Sequence, residues 1–395
     1  SEARSMVLTL TGSITALNTV TLAPNTVSKV WIIQNSAGYA VSLTQGTGAN
    51  VVIPNGGIKM IATDGAGSGA AVTDVLDMTG GTGNVGLGSG NLGTALTTGT
   101  DNVAIGENAG DAMTTASDNT FVGDNAGGAA TTGGDNVAIG SSALLVNTTG
   151  TQNVAIGPNA LDANTTASAN IAIGYDTLGA TTTGGYNTAV GNSALDVNTT
   201  GARNNAIGDT ALGANTTADD NVAIGNSALA VNTTGASNVA VGNYALDANT
   251  TAANNVAIGY NALTANTTGT PNTAVGKSAL AANTTGEYNV AVGAEAGDAN
   301  TTGSLNTALG YLTLSANTTA DGNTAVGGQA LALNTTGAYN TSVGMDALQQ
   351  NTTASNNTAV GTDALKLSTG IENVAVGAAA LDANTTGTNS TAVGY

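Results

Sequence analysis

The sequence predicts an all-β fold: a parallel β-roll or β-solenoid of about nineteen 17-residue coils, trimeric, with a small N-terminal β domain. Three observations carry this expectation. A pentapeptide close to Asn-(Val/Thr)-Ala-(Ile/Val)-Gly recurs nineteen times at a nearly constant spacing. Apolar residues make up 41% of the chain but aromatics only 3%, so the interior must be built from small and β-branched side chains in layers. The repeating unit also opposes helix, with two glycine positions, an Asn-Thr-Thr run and β-branched residues at its second and fourth positions.

The pentapeptide starts at residue 84 and then at 102, 119, 136, 153 and onward to 357 and 373, with a last copy at 390 in which Ser replaces Asn. The step is 17 residues, except for 18 at the first step and 16 between 357 and 373. A short period in many copies is the signature of a solenoid. In the representative coil, Asn136 to Gln152, Ala138 is position three, Gly140 five and Leu144 nine, and Asn147-Thr148-Thr149-Gly150 fills twelve to fifteen. Such a unit suits one coil of two short strands and two tight turns, the glycines at five and fifteen marking turns where positive φ is needed. Stacked at about 4.8 Å, the copies would form a rod of roughly 90 Å.

Alternation along the strand puts positions two and four on one face and three on the other. Both faces are apolar, so both need cover. A volume exchange assigns them. Phe121, the only Phe, replaces the usual Ala at position three, and position nine is Gly127 in that coil and Gly110 in the one before. Close packing predicts this pairing if positions three and nine meet inside the roll. The expected roll interior is therefore Phe121, Leu144, Leu161, Leu195, Leu229, Leu246, Leu280 and Leu348. Gly297 at position nine has no such partner. The outward stripe is then Val103, Ile105, Val137, Ile139, Val154, Ile156, Ile171, Ile173, Val222, Ile224, Val256, Ile258, Val290 and Val292. At about 1.5 kcal/mol or more per aliphatic side chain, leaving it wet forfeits tens of kcal/mol. A continuous apolar stripe marks an interface. Since every coil offers the same one, the expected partner is another copy, closed by threefold symmetry into a homotrimer.

Composition excludes several functions. A net charge of -19, from 25 acids and six bases, argues against nucleic acid and against anionic membrane surfaces. The absence of Cys and His removes the commonest nucleophiles, bases and soft metal ligands. We expect no enzyme activity, cofactor, metal site or membrane insertion. Residues 1–80 form the predicted attachment domain. There, short β-rich runs such as Val7-Leu8-Thr9-Leu10 and Lys29-Val30-Trp31-Ile32-Ile33 recur near every ten residues between turns, as in a small antiparallel sandwich or barrel. Residues 81–395 form the repeat region, which stops six residues into a repeat and is expected to continue beyond it.

Smaller motifs fall in with the repeat. Thirteen Asn-Thr-Thr triplets match the glycosylation sequon, but their fixed phase predicts an Asn ladder at a turn with Thr hydroxyls beside it. An ice-binding face would need a flat Thr lattice, and here the threonines are adjacent at a turn. Asp162, Asp196, Asp247, Asp298 and Asp382 recur at position ten and read as a solvated row. Tyr186, Tyr288 and Tyr339 precede strands and are candidates for stacking on sugars. The cluster Gly80-Gly81-Thr82-Gly83 lacks the Lys-Ser/Thr of a phosphate loop.

The pentapeptides Asn-Val-Ala-Ile-Gly (153–157, 221–225, 255–259) and Asn-Thr-Ala-Val-Gly (272–276, 323–327) resemble the head repeats of trimeric autotransporter adhesins, the YadA-like head, over residues 84–395. That resemblance implies a left-handed parallel β-roll and a trimer. The 17-residue unit is longer than the family's usual coil, and the stalk and membrane anchor expected of an autotransporter are not seen in this sequence. The run Val30-Trp31-Ile32-Ile33-Gln34-Asn35 resembles β domains in tail fibres of marine bacteriophages, some of which carry YadA-like repeats. The leading expectation is therefore an extracellular phage tail or capsid fibre. It would display or space binding of a host receptor, with polysaccharide as a candidate, and attach to the virion through its N-terminal domain. The alternative is a bacterial surface adhesin or filament. A polysaccharide-cleaving tailspike would need a cleft with paired carboxylates, which are scarce.

Overall fold

The computed structural model describes residues 7–26, 28–77, 83–92 and 96–395. The expected domain boundary at 80/81 and most of the cluster Gly80-Gly81-Thr82-Gly83 lie outside the described residues. The chain divides into two compact units, Ser1–Thr183 and Gly184–Tyr395, each taken by itself. Among the described residues no helix is long and apolar enough to cross a membrane.

The first unit opens with seven strands: β1 (Val7–Thr11), β2 (Asn18–Thr21), β3 (Ser28–Ser36), β4 (Val41–Thr44), β5 (Val51–Ile53), β6 (Ile58–Asp64) and β7 (Val72–Asp77). They make a four-stranded sheet in the order β1-β3-β6-β7 and a three-stranded sheet in the order β2-β4-β5. Ile33, Val41, Leu43, Ile53, Ile61 and Val72 form their shared apolar cluster. Asn35 is buried and ties three segments together, donating from Nδ2 to the carbonyls of Tyr39 (2.8 Å), Ile53 (2.9 Å) and Pro54 (3.1 Å). The sheets are mixed where antiparallel pairing was expected: β1 pairs β3 and β2 pairs β4 in parallel. The cause is connectivity. From β1 to β4 the chain alternates between sheets, so each sheet regains the chain running in its earlier direction.

Within each unit the repeats form a parallel β-solenoid with a period of about 17 residues. Each coil contributes one three-residue strand at positions two to four, in register with the next, as in Val137↔Val154 and Ile139↔Ile156. Among the described residues the second strand expected per coil is absent, and turns and bends carry the chain from position six onward. These turns are still hydrogen-bonded from coil to coil. Leu144 N donates to Ala160 O at 2.9 Å and Thr148 N to Thr165 O at 2.8 Å.

The backbone departs from the glycine-only turn expectation. Position five does require glycine: Gly140 has φ +137°, and a Cβ there would lie 2.6 Å from the backbone of Gly157. Position fifteen does not, since Ala167, Ala218 and Ala252 occupy it and are buried. The left-handed residues are instead non-glycine ones at positions seven, nine and seventeen, such as Ser142 (φ 58°), Leu144 (φ 56°) and Gln152 (φ 59°). Each costs about 1–2 kcal/mol. Position nine accepts that cost because the conformation turns a whole leucine into the interior, where Leu144 is fully buried.

Two asparagine ladders run through the coils. The expected one stands at position twelve: Asn164 Nδ2 donates to Asn147 Oδ1 (3.0 Å), while Asn147 donates to Gly150 O (3.0 Å) and accepts from Gly150 N (3.1 Å). Beside it Thr148 Oγ1 donates to Thr165 O (3.0 Å). The second ladder, not anticipated, is the leading Asn of the pentapeptide. Asn238 N donates to Asn221 Oδ1 (2.9 Å), Asn238 Nδ2 to Ala252 O (2.9 Å), and Asn255 N to Asn238 Oδ1 (2.9 Å). Both rows are buried except for the half-buried Asn384, so the other sequon asparagines at position twelve are closed to glycosylation in the folded chain.

Asn238→Ala should therefore strand a buried backbone N–H and a carbonyl and lower stability by about 1–3 kcal/mol. Thr234→Ala, on an exposed bend of the preceding coil, should stay within about 0.5 kcal/mol. Denaturant unfolding of the two variants gives the comparison, and equal losses would remove the ladder from its structural role.

Candidate functional site

The residues of the predicted interior are all buried: Phe121, Leu144, Leu161, Leu195, Leu229, Leu246 and Leu348 at 0% and Leu280 at 3% exposure. Phe121 lies where the volume exchange puts it. A Cβ on Gly127 would sit 2.6 Å from its ring, and one on Gly110 would sit 3.0 Å from it. Met113, which replaces Asn at position twelve, shares this pocket, its Cε 2.5 Å from that same Gly110 Cβ position. The sequence signal for Met113 was the missing Asn-Thr-Thr triplet in its coil. Gly297 leaves a different outcome: Leu280, Leu314, Ala291, Ala308 and neighbouring residues line a cavity of about 10 Å³, close to the room one water needs.

Residues of the outward stripe stand on the opposite face of the strands. Ile105, Ile139, Ile171, Ile173, Ile224, Ile258 and Val290 are exposed, and Val103, Val137, Val154, Ile156, Val222, Val256 and Val292 are half-buried. Register pairing stacks them within each unit: Val137, Val154 and Ile171 in the first, Val222, Val239 and Val256 in the second. Neighbours therefore cover the flanks of each side chain while its outer end stays open. Position four is aliphatic in every coil, whereas position two is Val or Ile in ten coils and Thr or Asn in the other nine, among them Thr120, Asn205 and Thr273, so the open face carries a continuous aliphatic row beside a mixed one.

The electrostatics of the surface differ from expectation at position ten. Asp162, Asp196, Asp247 and Asp298 are half-buried rather than solvated, and only Asp382 of the five is exposed. Asp247 accepts from Thr264 Oγ1 at 2.7 Å. Asp298 Oδ1 is buried without a hydrogen-bond partner. Burial, with the nearby Glu295 charge adding to it, holds the Asp298 carboxyl above the usual carboxylate range. The turn that follows position nine folds this residue against the coil, which spacing along the chain does not reveal.

Elsewhere the charges pair at the surface. Arg203 donates to Asp220 (2.7 Å) and Asp219 (3.1 Å), and this holds the Asp220 carboxyl below its ordinary range. Tyr186, Tyr288 and Tyr339 are exposed, at 71%, 57% and 64%. Among the described residues no group of three or more Asp or Glu is placed to hold a metal ion. No protein-family model, curated protein or solved structure matches the chain.

Two outcomes follow from this geometry. Phe121→Ala should open a cavity and cost about 3 kcal/mol. Gly127→Leu should overpack the layer by about 1–3 kcal/mol, even though Gly127 (φ 59°) already has the conformation of Leu144. The double variant should recover most of both losses in a double-mutant cycle, and simple additivity would show that the two side chains do not meet.

The raised Asp298 carboxyl gives a pH-dependent test. Its folded-state pKa lies above the unfolded value, so the proton it retains favours the folded chain at low pH and that advantage is lost as pH rises. Asp298→Asn should therefore raise the melting temperature at neutral pH, and the gain should vanish toward about pH 4. A gain independent of pH would assign the effect to packing.

Proposed function

We propose that this chain is a structural fibre protein, a phage tail or capsid fibre, whose repeats associate as a parallel homotrimer and space or display host-receptor binding. The observation that carries the reading is the outward stripe of Val and Ile, which recurs coil after coil and stays open in the single chain. A face of this kind gains most from a partner with the same period, and the chain itself is the partner that has it. Three-fold closure and extracellular display are supported by the likeness of the pentapeptide to YadA-like head repeats. The likeness of Val30-Trp31-Ile32-Ile33-Gln34-Asn35 to fibre domains supports residues 1–80 as the attachment domain. The composition fits the same role: the high negative charge keeps such particles apart in solution, and the repeat supplies length without catalytic groups.

Sedimentation equilibrium of the full chain should return three times 37.8 kDa. Val292→Asp, in the stripe, should shift the distribution toward the monomer, because carboxylates would meet in a dry contact. Thr285→Asp, on an exposed bend, should leave it unchanged. A soluble wild-type monomer, or equal effects of the two substitutions, would overturn the trimer. Antibody against the chain should then decorate virion fibres in electron micrographs, and decoration of bacterial cells instead would point to a surface adhesin.

A further inference from the structure

Within the second unit, the turn just after the strand carries a row unlike its counterparts in other coils. Position six is Asn192, Asp209, Asn226, Asn243 and Tyr260 in five consecutive coils. The polar members are joined to one another. Asp209 accepts from Asn192 Nδ2 at 3.1 Å and from Asn226 Nδ2 at 3.2 Å, and the backbone N–H of Asn226 donates to Asn243 Oδ1 at 3.0 Å. Tyr260 closes the row, its ring edge-on to Tyr244 of the preceding coil with centroids 6.2 Å apart. Both rings are open to solvent, Tyr244 at 40% and Tyr260 at 50% exposure. Turn chemistry accounts for an Asn or Asp at this position, because their side chains favour turns. It does not account for a fixed aromatic pair standing in solvent at the end of the same line.

We infer that this row is a binding strip for a neutral polysaccharide chain. A sugar ring offers an apolar C–H face and a rim of hydroxyls. The exposed face of Tyr260, held by Tyr244, suits the first. The carboxylate of Asp209 and the carboxamides beside it suit the second, since a carboxylate has lone pairs beyond those Asn192 and Asn226 use and each carboxamide offers both a donor and an acceptor. The hydrogen bonds between these side chains hold them in place before any ligand arrives, which lowers the cost of ordering them on binding. A side chain every coil, about 4.8 Å apart, matches a ligand that itself repeats along a line. The charge of the chain selects among polysaccharides: at -19, with Asp209 central to the strip, it repels an acidic polymer and leaves a neutral one. This row is distinct from the tyrosines at position seventeen, where the Tyr339 ring lies over Gly322 of the preceding coil, a Cβ there falling 2.6 Å from it. The inference gives the proposed fibre a receptor class and rests on that reading only for its biological setting.

The test is affinity electrophoresis of the full chain through gels cast with a β-glucan, a galactomannan, a xylan or a mannan. At least one should retard the wild type. Tyr260→Ala and Asp209→Ala should each weaken that retardation at least tenfold, and Tyr339→Ala should not change it. Thermal unfolding of the variants, all at exposed positions, should match the wild type. Free migration in all four gels, or equal weakening by Tyr260→Ala and Tyr339→Ala, would overturn the strip. Sedimentation of the same samples separates the two proposals. A trimer that no gel retards removes the strip and leaves the fibre standing, whereas a monomer with Tyr260-dependent retardation does the reverse.

Discussion

The buried asparagine ladders are the constraint on which the rest of the solenoid depends. Most carboxamides reach the matching residue one coil away and also fasten the turn of their own coil, so stacking distance and turn shape are set by the same group; Asn255 and Asn357 make only the link between coils, their Nδ2 groups being buried without a partner. Where a rung changes, the effect is visible. Ser368 replaces Asn at position twelve in the coil that is one residue short, and there Asn351 Oδ1 and Ser368 Oγ are both buried without partners. The ladder at position one survives the same irregularity, with Asn373 N donating to Asn357 Oδ1 at 2.9 Å across 16 residues. It also survives the longer first step, where Asn102 N donates to Asn84 Oδ1 at 2.8 Å across 18 residues. The ladder beside the strand holds register through both irregular steps.

Tight stacking has consequences for every other position. Coils held this close leave no room for a Cβ at position five, and they leave an interior only one leucine thick. A thin interior makes volume exchange local, which is why one Phe is matched by glycines in its own and the preceding coil, and why Gly297 without a matching large residue leaves a void. It also caps the apolar area each coil can bury. The coil makes up the difference with polar groups that are almost all satisfied, and with three left-handed residues that aim the chain inward rather than spread it along a second strand. A narrow roll of this kind cannot bury both faces of its one strand. The Val/Ile face is left over by geometry, and the proposed self-association follows from that remainder.

The proposed binding surface sits on the turns because they are free of this packing. The strand and the ladders tolerate few side chains, whereas positions six, seven and seventeen vary from coil to coil and carry most of the tyrosines and several of the charges. Such variation on a fixed frame lets neighbouring coils contribute to one extended surface, as the row from Asn192 to Tyr260 does.

Much of this was legible in the residues alone. The period, the in-register parallel strand, the inward Ala and Leu, the Phe121 exchange and the ladder at position twelve all follow from spacing, alternation and volume, which are local or repeat-wide properties. The tertiary structure decided what depends on contacts across coils. Leucine in a left-handed conformation defies local propensity and is bearable only because the core beyond it is filled, so two strands were expected where there is one. The leading Asn of the pentapeptide carried no assigned role in the repeat pattern, and only the neighbouring coil makes it a buried rung. Asp298 looked solvated from its spacing, and the fold of its own turn buried it. In residues 7–77 five of the seven strands were readable from their β-branched runs, Asn18–Thr21 and Val72–Asp77 being missed, and the parallel pairings were not, because which sheet a strand joins is a question of long-range connection that no local pattern records.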